Sequence, residues 1–189
     1  VDDERVQLHG VTVRDFANAA QVAEPATQRP RRRYTLGTMN VIVLPTYNER
    51  ENLRHALARI REVADGHGLQ LHTLIVDDNS PDGTGDLADE LALEVADVSV
   101  LHRAGKEGLG KAYIAGFREA LAMGAERIFE MDADLSHDAS YLPHFLRFID
   151  QGADLVLGSR YVKGGGVENW GLSRKIISRG GCLYAQTIL

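Results

Sequence analysis

The sequence has few of the features that mark secreted, membrane-spanning or nucleic-acid-binding proteins. Its 189 residues include one cysteine, Cys182, so no disulfide can form within the chain, which favours a reducing compartment. No uninterrupted apolar run approaches the roughly 20 residues that a membrane-spanning helix needs. The acidic first residues predict no secretory signal peptide. A net charge of −6 disfavours a general electrostatic attraction to nucleic acid, so we expect no nucleic-acid partner.

Apolar residues and glycine, by contrast, are plentiful. Hydrophobic residues make up 44% of the chain, which excludes a wholly disordered protein and predicts one domain with a sizeable core. The 19 glycines outnumber the 5 prolines and gather in a few loops. Residues 1–39 show no sustained periodicity, so we predict a flexible tail over 1–39 and a structured domain over 40–189.

From residue 40 onward, short apolar runs alternate with stretches of helical spacing. The runs predict five strands, at residues 41–44, 71–76, 98–101, 127–131 and 154–157. Four helices are predicted between them, around residues 53–64, 87–95, 109–121 and 141–149. This alternation predicts an α/β fold with a mostly parallel sheet and helices on both faces. Ligands bind beyond the carboxyl ends of the strands in such sheets, so the loops after the strands are the candidate site.

Two aspartates separated by one residue follow the fourth predicted strand. Asp132 and Asp134 could share one hard divalent cation, with water and a substrate phosphate completing its coordination. Such a cation would neutralise a diphosphate leaving group. The structural alternative is a helix cap, with Ser136 or Asp138 in the cap position. Acidic residues clustered at strand ends favour the cation, since carboxylates repel one another unless a cation lies between them.

A second acidic pair, Asp77 and Asp78, follows the second predicted strand. One of the two is expected to stabilise the turn through Pro81 and Gly83. The other could accept hydrogen bonds from a nucleobase or ribose. An acidic pair also occurs in phospho-acceptor receiver domains, but those carry it after the first strand rather than the second.

The loop from Gly105 to Lys111 nearly matches a phosphate-binding P-loop. Ala112 stands where a P-loop needs a serine or threonine hydroxyl for magnesium. A nucleotide triphosphatase with Asp132 as its second acidic element therefore stays open as an alternative. So does a plain glycine-rich loop in which Lys106 and Lys111 are solvated.

A basic cluster surrounds and follows the three glycines at 164–166. Its members are Arg160, Lys163, Arg174, Lys175 and Arg179. Guanidinium groups suit phosphate oxygens, and the cluster adjoins the predicted ligand edge, which favours phosphate binding. The alternative is that Arg174 and Lys175 form the exposed face of a last helix.

Five segments together resemble the dolichol- and polyprenol-phosphate mannosyltransferases of glycosyltransferase family 2. They are VIVLPTYNERENL (41–53), LIVDDNSPDGTG (74–85), GLGKAYIAG (108–116), MDADLSH (131–137) and GSRYVKGGGVENWGLSRKIISRGGCLYA (158–185). The resemblance implies a GT-A fold, which is a Rossmann-like α/β arrangement, over residues 40–189. It also implies an inverting enzyme that moves mannose from GDP-mannose to a polyprenyl or dolichyl phosphate and yields a β-mannosyl phosphoryl lipid.

The same resemblance implies roles for individual residues. The nucleoside would contact Pro45, Tyr47, Glu49, Val76 and Asp78. The diphosphate and a Mg²⁺ or Mn²⁺ ion would be held by Asp132, Ala133 and Asp134, with Ser136 at a metal-ligand position that is glutamine in some relatives. The donor phosphates would bind Arg160 and Arg174, and the catalytic residues would be Asp132, Asp134 and Arg160.

The lipid acceptor implies a peripheral location at the cytoplasmic side of a membrane. Contact with the membrane would come from the protein's own surface, a partner subunit or a further segment. Members of the family continue past the helix in which this sequence ends, so we expect a domain that is incomplete at its C-terminus. A nucleotide-sugar-binding module without transfer activity is therefore a second functional hypothesis.

Overall fold

A computed structural model describes residues 38–158 and two short segments at 7–8 and 11–12. Residues 38–151 belong to one of two compact units of the chain, and the other described residues belong to the second. In that second unit, strands β1 (Gln7–Leu8) and β2 (Val11–Thr12) pair antiparallel. Nothing in the sequence predicts this pairing within the N-terminal tail. The rest of residues 1–37 lies outside the described part.

A four-stranded sheet forms the centre of the first unit. Its strands are β3 (Asn40–Thr46), β4 (Leu71–Asp77), β5 (Val98–His102) and β6 (Arg127–Glu130). They lie in the order β5-β4-β3-β6, and every neighbouring pair is parallel. The central strand β3 is buried along its whole length, because a parallel strand is covered on both faces. The continuous apolar run at 41–44 therefore correctly predicts a strand that is buried on both faces.

Helices cover both faces of this sheet. They are α1 (Arg50–His67), α2 (Thr84–Glu94), α3 (Leu109–Ala122) and α4 (Leu142–Asp150), with a 3-10 turn at Ala139–Tyr141. Successive strand side chains point to opposite faces, so Ile42 and Leu44 pack in the core with α1, α2 and α4. Val41 and Val43 pack in a second core with α3. The predicted α/β class is confirmed. None of the helices in the described ranges has the length and apolar character needed to cross a bilayer.

The strand predicted at residues 154–157 is wrong. Residues 154–157 are irregular, and Leu155 and Leu157 are 72% and 62% exposed. A strand needs a hydrogen-bonded neighbour as well as an apolar run. No strand pairing in the described part of the chain includes these residues.

Helix α3 approaches the sheet through small residues, and Gly116 lies at the closest point. A Cβ at Gly116 would lie 2.3 Å from Val43 Cγ1 and 3.0 Å from Val76 Cγ2. We therefore expect Gly116→Ala to lower the free energy of unfolding by about 1–3 kcal/mol through overpacking. On the same helix, a Cβ at Gly110 would have no heavy atom within 4 Å. Gly110→Ala should therefore leave the free energy of unfolding unchanged or raise it slightly. Urea unfolding of both variants checks this, and similar midpoints would contradict it.

Candidate active site

The order of the strands creates a crevice between β3 and β6. Along the chain, β4 and β5 are added on one side of β3, and β6 then pairs on the other side. At such a switch point the connections from two neighbouring strands leave in opposite directions. The carboxyl edge between the two strands is consequently open to a ligand.

A cavity of about 240 Å³ lies at this edge. Its described lining consists of Pro45, Thr46, Tyr47, Glu49, Asp78, Lys106, Leu109, Ala112, Asp132, Ala133 and Asp134. Seven residues that the sequence predicts for the donor site meet here: Pro45, Tyr47, Glu49, Asp78, Asp132, Ala133 and Asp134. Four of them are carboxylates, and Lys106 is the only cation in the described lining. The cavity is therefore strongly acidic.

A larger cavity, of about 530 Å³, lies at the opposite edge of the sheet. Its lining includes Asn40, Leu71 and Val98, which begin β3, β4 and β5. Ligands of open parallel sheets bind at the carboxyl ends of the strands rather than at the amino ends. The smaller, acidic cavity is therefore the candidate active site.

The loop that carries Asp134 turns back on itself. Leu135 has a left-handed backbone with φ 63°, and the backbone N–H of Ser136 donates to Asp134 Oδ1 at 2.9 Å. Burial would raise the pKa of the Asp134 carboxyl, but the hydrogen bonds from Ser136 and the charge of His137 lower that pKa below its usual value. The Asp134 carboxyl is therefore ionised at neutral pH. Ser136 is exposed and lies outside the described lining of the cavity.

Of the two candidates for a helix cap, the structure selects Asp138. Its Oδ1 accepts a hydrogen bond from the backbone N–H of Ser140 at 2.9 Å and caps the 3-10 turn. Asp132 and Asp134 do not cap this turn, so capping of the following helix does not account for the D-x-D pair.

Asp132 forms hydrogen bonds with two residues, Tyr113 and His137. The Tyr113 hydroxyl donates to Asp132 Oδ1 at 2.7 Å, and the backbone N–H of Asp132 donates to His137 Nδ1 at 3.1 Å. Burial, the hydrogen bond to Asp132 and the surrounding carboxylates raise the pKa of Tyr113 far above its usual value. The phenol therefore stays protonated and remains a donor. Sequence reasoning missed Tyr113, because its contact with Asp132 joins different elements.

The second acidic pair serves two purposes. Asp77 is buried and accepts hydrogen bonds from the Thr46 hydroxyl at 3.2 Å and the Ser80 hydroxyl at 2.6 Å. It therefore holds the turn, as predicted for one member of the pair. Asp78 lines the cavity and forms an ion pair with Arg103, whose side chain is only 10% exposed. Sequence reasoning also missed Arg103, although its position directly after β5 was a signal that could have found it.

Lys106 and Tyr47 meet at the wall of the cavity. The Lys106 ammonium lies 4.0 Å from the centroid of the Tyr47 ring, in a cation–π contact. The alternative in which Lys106 is simply solvated therefore does not describe its surroundings fully, because its charge faces an aromatic ring at the candidate site. Lys111, the counterpart of a P-loop lysine, is exposed and pairs with Glu107 at 3.4 Å. The geometry does not support the P-loop interpretation.

Besides Ser136, three predicted site residues are absent from the described lining of the cavity: Val76, Arg160 and Arg174. Val76 is fully buried and packs beside Val43 against α3, because its side chain points to the α3 face of the sheet rather than to the strand ends. Arg160 and Arg174, like the glycines at 164–166, lie outside the described residues.

An open parallel sheet with a crevice at its switch point is the architecture of doubly wound α/β domains, whose ligands bind in that crevice. Residues 41–187 match the family described as Glycosyl transferase family 2, and the chain belongs to this family. The predicted resemblance is therefore confirmed.

Three curated relatives are similar over most of this chain. The polyprenol monophosphomannose synthase of Mycolicibacterium smegmatis is 47% identical over 167 residues, which is 88% of this chain and 59% of the relative. The undecaprenyl-phosphate mannosyltransferase of Micrococcus luteus is 50% identical over 147 residues (78% and 58%). The dolichol-phosphate mannosyltransferase of Pyrococcus furiosus is 42% identical over 148 residues (78% and 40%). The chain thus spans between 40% and 59% of the length of these relatives.

Among solved structures, the mannosyltransferase PcManGT from Pyrobaculum calidifontis, in complex with GDP-Man and Mn²⁺, aligns with a TM-score of 0.45. Its sequence identity is 23%, and the alignment covers 63% of this chain and 33% of that one.

Proposed function

We propose that this chain carries the donor-binding and catalytic part of an inverting mannosyltransferase. The donor is GDP-mannose, the acceptor is a polyprenyl or dolichyl phosphate, and the product is a β-mannosyl phosphoryl lipid. The observation that carries the proposal is the acidic cavity at the switch point, where seven predicted donor-site residues meet. The names of the three relatives support mannose as the sugar and a polyprenyl-type phosphate as the acceptor.

The residues of the cavity fit a divalent cation. Asp132 and Asp134 supply the oxygen ligands that Mg²⁺ and Mn²⁺ prefer, and Ser136 is a third proposed ligand. No group of three or more acidic, histidine or cysteine side chains forms a metal cage within the described ranges. A cation held by the two aspartates and the Ser136 hydroxyl, and completed by substrate oxygens, agrees with this finding. When bound, it would neutralise the charge that develops on the departing GDP.

The chemistry requires little acid–base help from the protein. A lipid phosphate is already anionic near neutral pH, so its attacking oxygen needs no strong general base. The protein's task is to bind and orient the two substrates. We assign nucleoside binding to Tyr47, Glu49 and Asp78, and binding of the donor phosphates to Arg160 and Arg174. In-line attack on the anomeric carbon of α-linked mannose inverts the configuration and releases GDP.

The acceptor determines where the proposed reaction takes place. Its long hydrocarbon chain is embedded in a bilayer, so only the phosphate is presented to a protein at the surface. We therefore propose a peripheral position at the cytoplasmic side of a membrane. Attachment would come from this chain's own surface, a partner subunit or a further segment.

Calorimetric titration of the chain with GDP-mannose, with and without Mn²⁺, tests the proposal. We expect weak binding without Mn²⁺ and much tighter binding with it, because the carboxylates of the cavity repel the diphosphate when no cation is bound. UDP-glucose is the control and should bind more weakly. Equal GDP-mannose affinities with and without Mn²⁺, or no binding in either case, would contradict the proposal.

The second candidate function is a module that binds the nucleotide-sugar donor without transferring mannose. The described cavity brings together predicted donor-site residues, an arrangement that serves either function. Incubation with GDP-mannose and a short-chain polyprenyl phosphate separates the two functions. Formation of mannosyl phosphoryl lipid supports the transferase, and metal-dependent binding without product supports a donor-binding module.

A further inference from the structure

The Tyr113 hydroxyl links helix α3 to the D-x-D loop. Tyr113 lies one turn into α3, and Asp132 follows β6, 19 residues further along the chain. The ring is held by its neighbours, since it is partly buried and lies 6.0 Å, centroid to centroid, from the tilted ring of Phe117. A donor at a defined place therefore meets a carboxylate at the end of a strand.

This hydrogen bond engages one oxygen of the carboxylate and leaves the other available. Asp132 Oδ1 accepts from Tyr113 at 2.7 Å. Asp132 Oδ2 has no hydrogen bond in the described part of the chain, and its described contact is a long ion pair with His137 Nε2 at 3.8 Å, which is charged only when the imidazole is protonated. A carboxylate that is fixed through one oxygen presents the other in a defined direction. Partners of this kind, which do not themselves bind the metal, orient ligating carboxylates in metal sites.

The backbone of Asp132 is fixed as well. Its N–H donates to His137 Nδ1 at 3.1 Å, so the loop closes between residues 132 and 137. His137 thus restrains the backbone of Asp132, and the rotation of the carboxylate is a separate freedom. Tyr113 restrains that rotation.

We propose that Tyr113 is a positioning residue of the D-x-D site, which holds Asp132 so that Oδ2 is available to a divalent cation and the donor diphosphate. The proposal rests on the proposed function, because it assigns a task to Tyr113 only where a cation binds the aspartates. Tyr113 is not part of the described lining of the cavity. It acts through Asp132 and not on the substrate.

The test is Tyr113→Phe, which keeps the ring and removes only the hydroxyl. Mn²⁺ affinity is measured in the presence of GDP by electron paramagnetic resonance, and GDP binding without metal is measured by calorimetry in EDTA. We expect Mn²⁺ to bind about tenfold more weakly, as is typical when a partner of a metal ligand is lost. Metal-free GDP binding and the melting temperature should hardly change. The matched control Tyr141→Phe removes a hydroxyl outside the cavity and should retain the Mn²⁺ affinity of the unaltered chain.

A double-mutant cycle adds a second readout. In an Asp132→Asn background, Tyr113→Phe should have no further effect on Mn²⁺ affinity, because the carboxylate that it positions is gone. Unchanged Mn²⁺ affinity in Tyr113→Phe would overturn the inference. A parallel loss of metal-free GDP binding and of thermal stability would also overturn it, since the role would then be structural. If the unaltered chain shows no metal-dependent GDP binding, the proposed function itself fails and the inference falls with it.

Discussion

Asp134→Ala is expected to weaken Mn²⁺-dependent binding of GDP-mannose by more than about 100-fold. The loss of a metal ligand should exceed the 10–100-fold effect that is typical for the partners of such ligands. The Asp134 carboxyl is ionised at neutral pH and lines the acidic cavity. Without it, a diphosphate would face the remaining carboxylates with a weakly held cation. Calorimetry with and without Mn²⁺ measures the effect.

The chain offers a close structural control for this substitution. Asp134 Oδ1 and Asp138 Oδ1 each accept the backbone N–H of a serine two residues further on, at 2.9 Å in both cases. Either alanine variant therefore loses one hydrogen bond between a side chain and the backbone, worth about 1 kcal/mol of stability. Of the two aspartates, only Asp134 belongs to the described lining of the cavity, so only its loss should affect donor binding. Equal donor affinities in the two variants would show that Asp134 only stabilises its loop.

Arg103→Met is expected to lower the free energy of unfolding by about 3 kcal/mol. Arg103 and Asp78 form an ion pair in which their side chains are 10% and 6% exposed. Removing one partner of a buried pair leaves the other charge without compensation, which is strongly destabilising. Because Asp78 also lines the cavity, the same variant should weaken GDP-mannose binding. Urea denaturation measures the first effect and calorimetry the second.

An exposed ion pair supplies the control for the buried one. Arg54 and Glu94 lie 3.1 Å apart with side chains 54% and 55% exposed, so Arg54→Met should cost less than about 1 kcal/mol. The double variant Arg103→Met with Asp78→Leu removes both buried charges and should regain part of the stability lost in Arg103→Met. Similar losses in Arg54→Met and Arg103→Met would contradict the expectation that burial makes this pair costly to break.

Much of the fold was predictable because each element leaves a local pattern. The run at 41–44 is continuous since β3 is covered on both faces, and α1 shows helical spacing because one side of it is buried. The run at 154–157 has the same appearance, yet it forms no strand. An apolar run indicates that a segment could form a buried strand. Whether it does so depends on a neighbouring strand that is distant in sequence.

The candidate site was partly predictable for a related reason. The carboxyl ends of parallel strands meet at one edge, so Asp78, Asp132 and Asp134 are brought together by the strand pattern alone. Tyr113 was not foreseen, because a tyrosine in a helix carries no local signature of its contacts. The position of Arg103 after a strand places it at the ligand edge, but it does not identify Asp78 as its partner. Val76 shows the same limit, since alternation along β4 turns its side chain into the α3 core.

Local sequence patterns were enough to predict the α/β class, the edge of the sheet that carries the candidate site and, through the motifs, the family. These follow from periodicity and from residue types close together along the chain. The folded arrangement shows which carboxylates already have hydrogen-bond or ion-pair partners. Asp77 accepts a hydrogen bond within its turn, and Asp78 forms an ion pair with Arg103. Asp132 accepts a hydrogen bond through Oδ1, whereas its Oδ2 has none in the described contacts. Such hydrogen bonds join residues that folding alone brings together, so their partners cannot be assigned from local spacing.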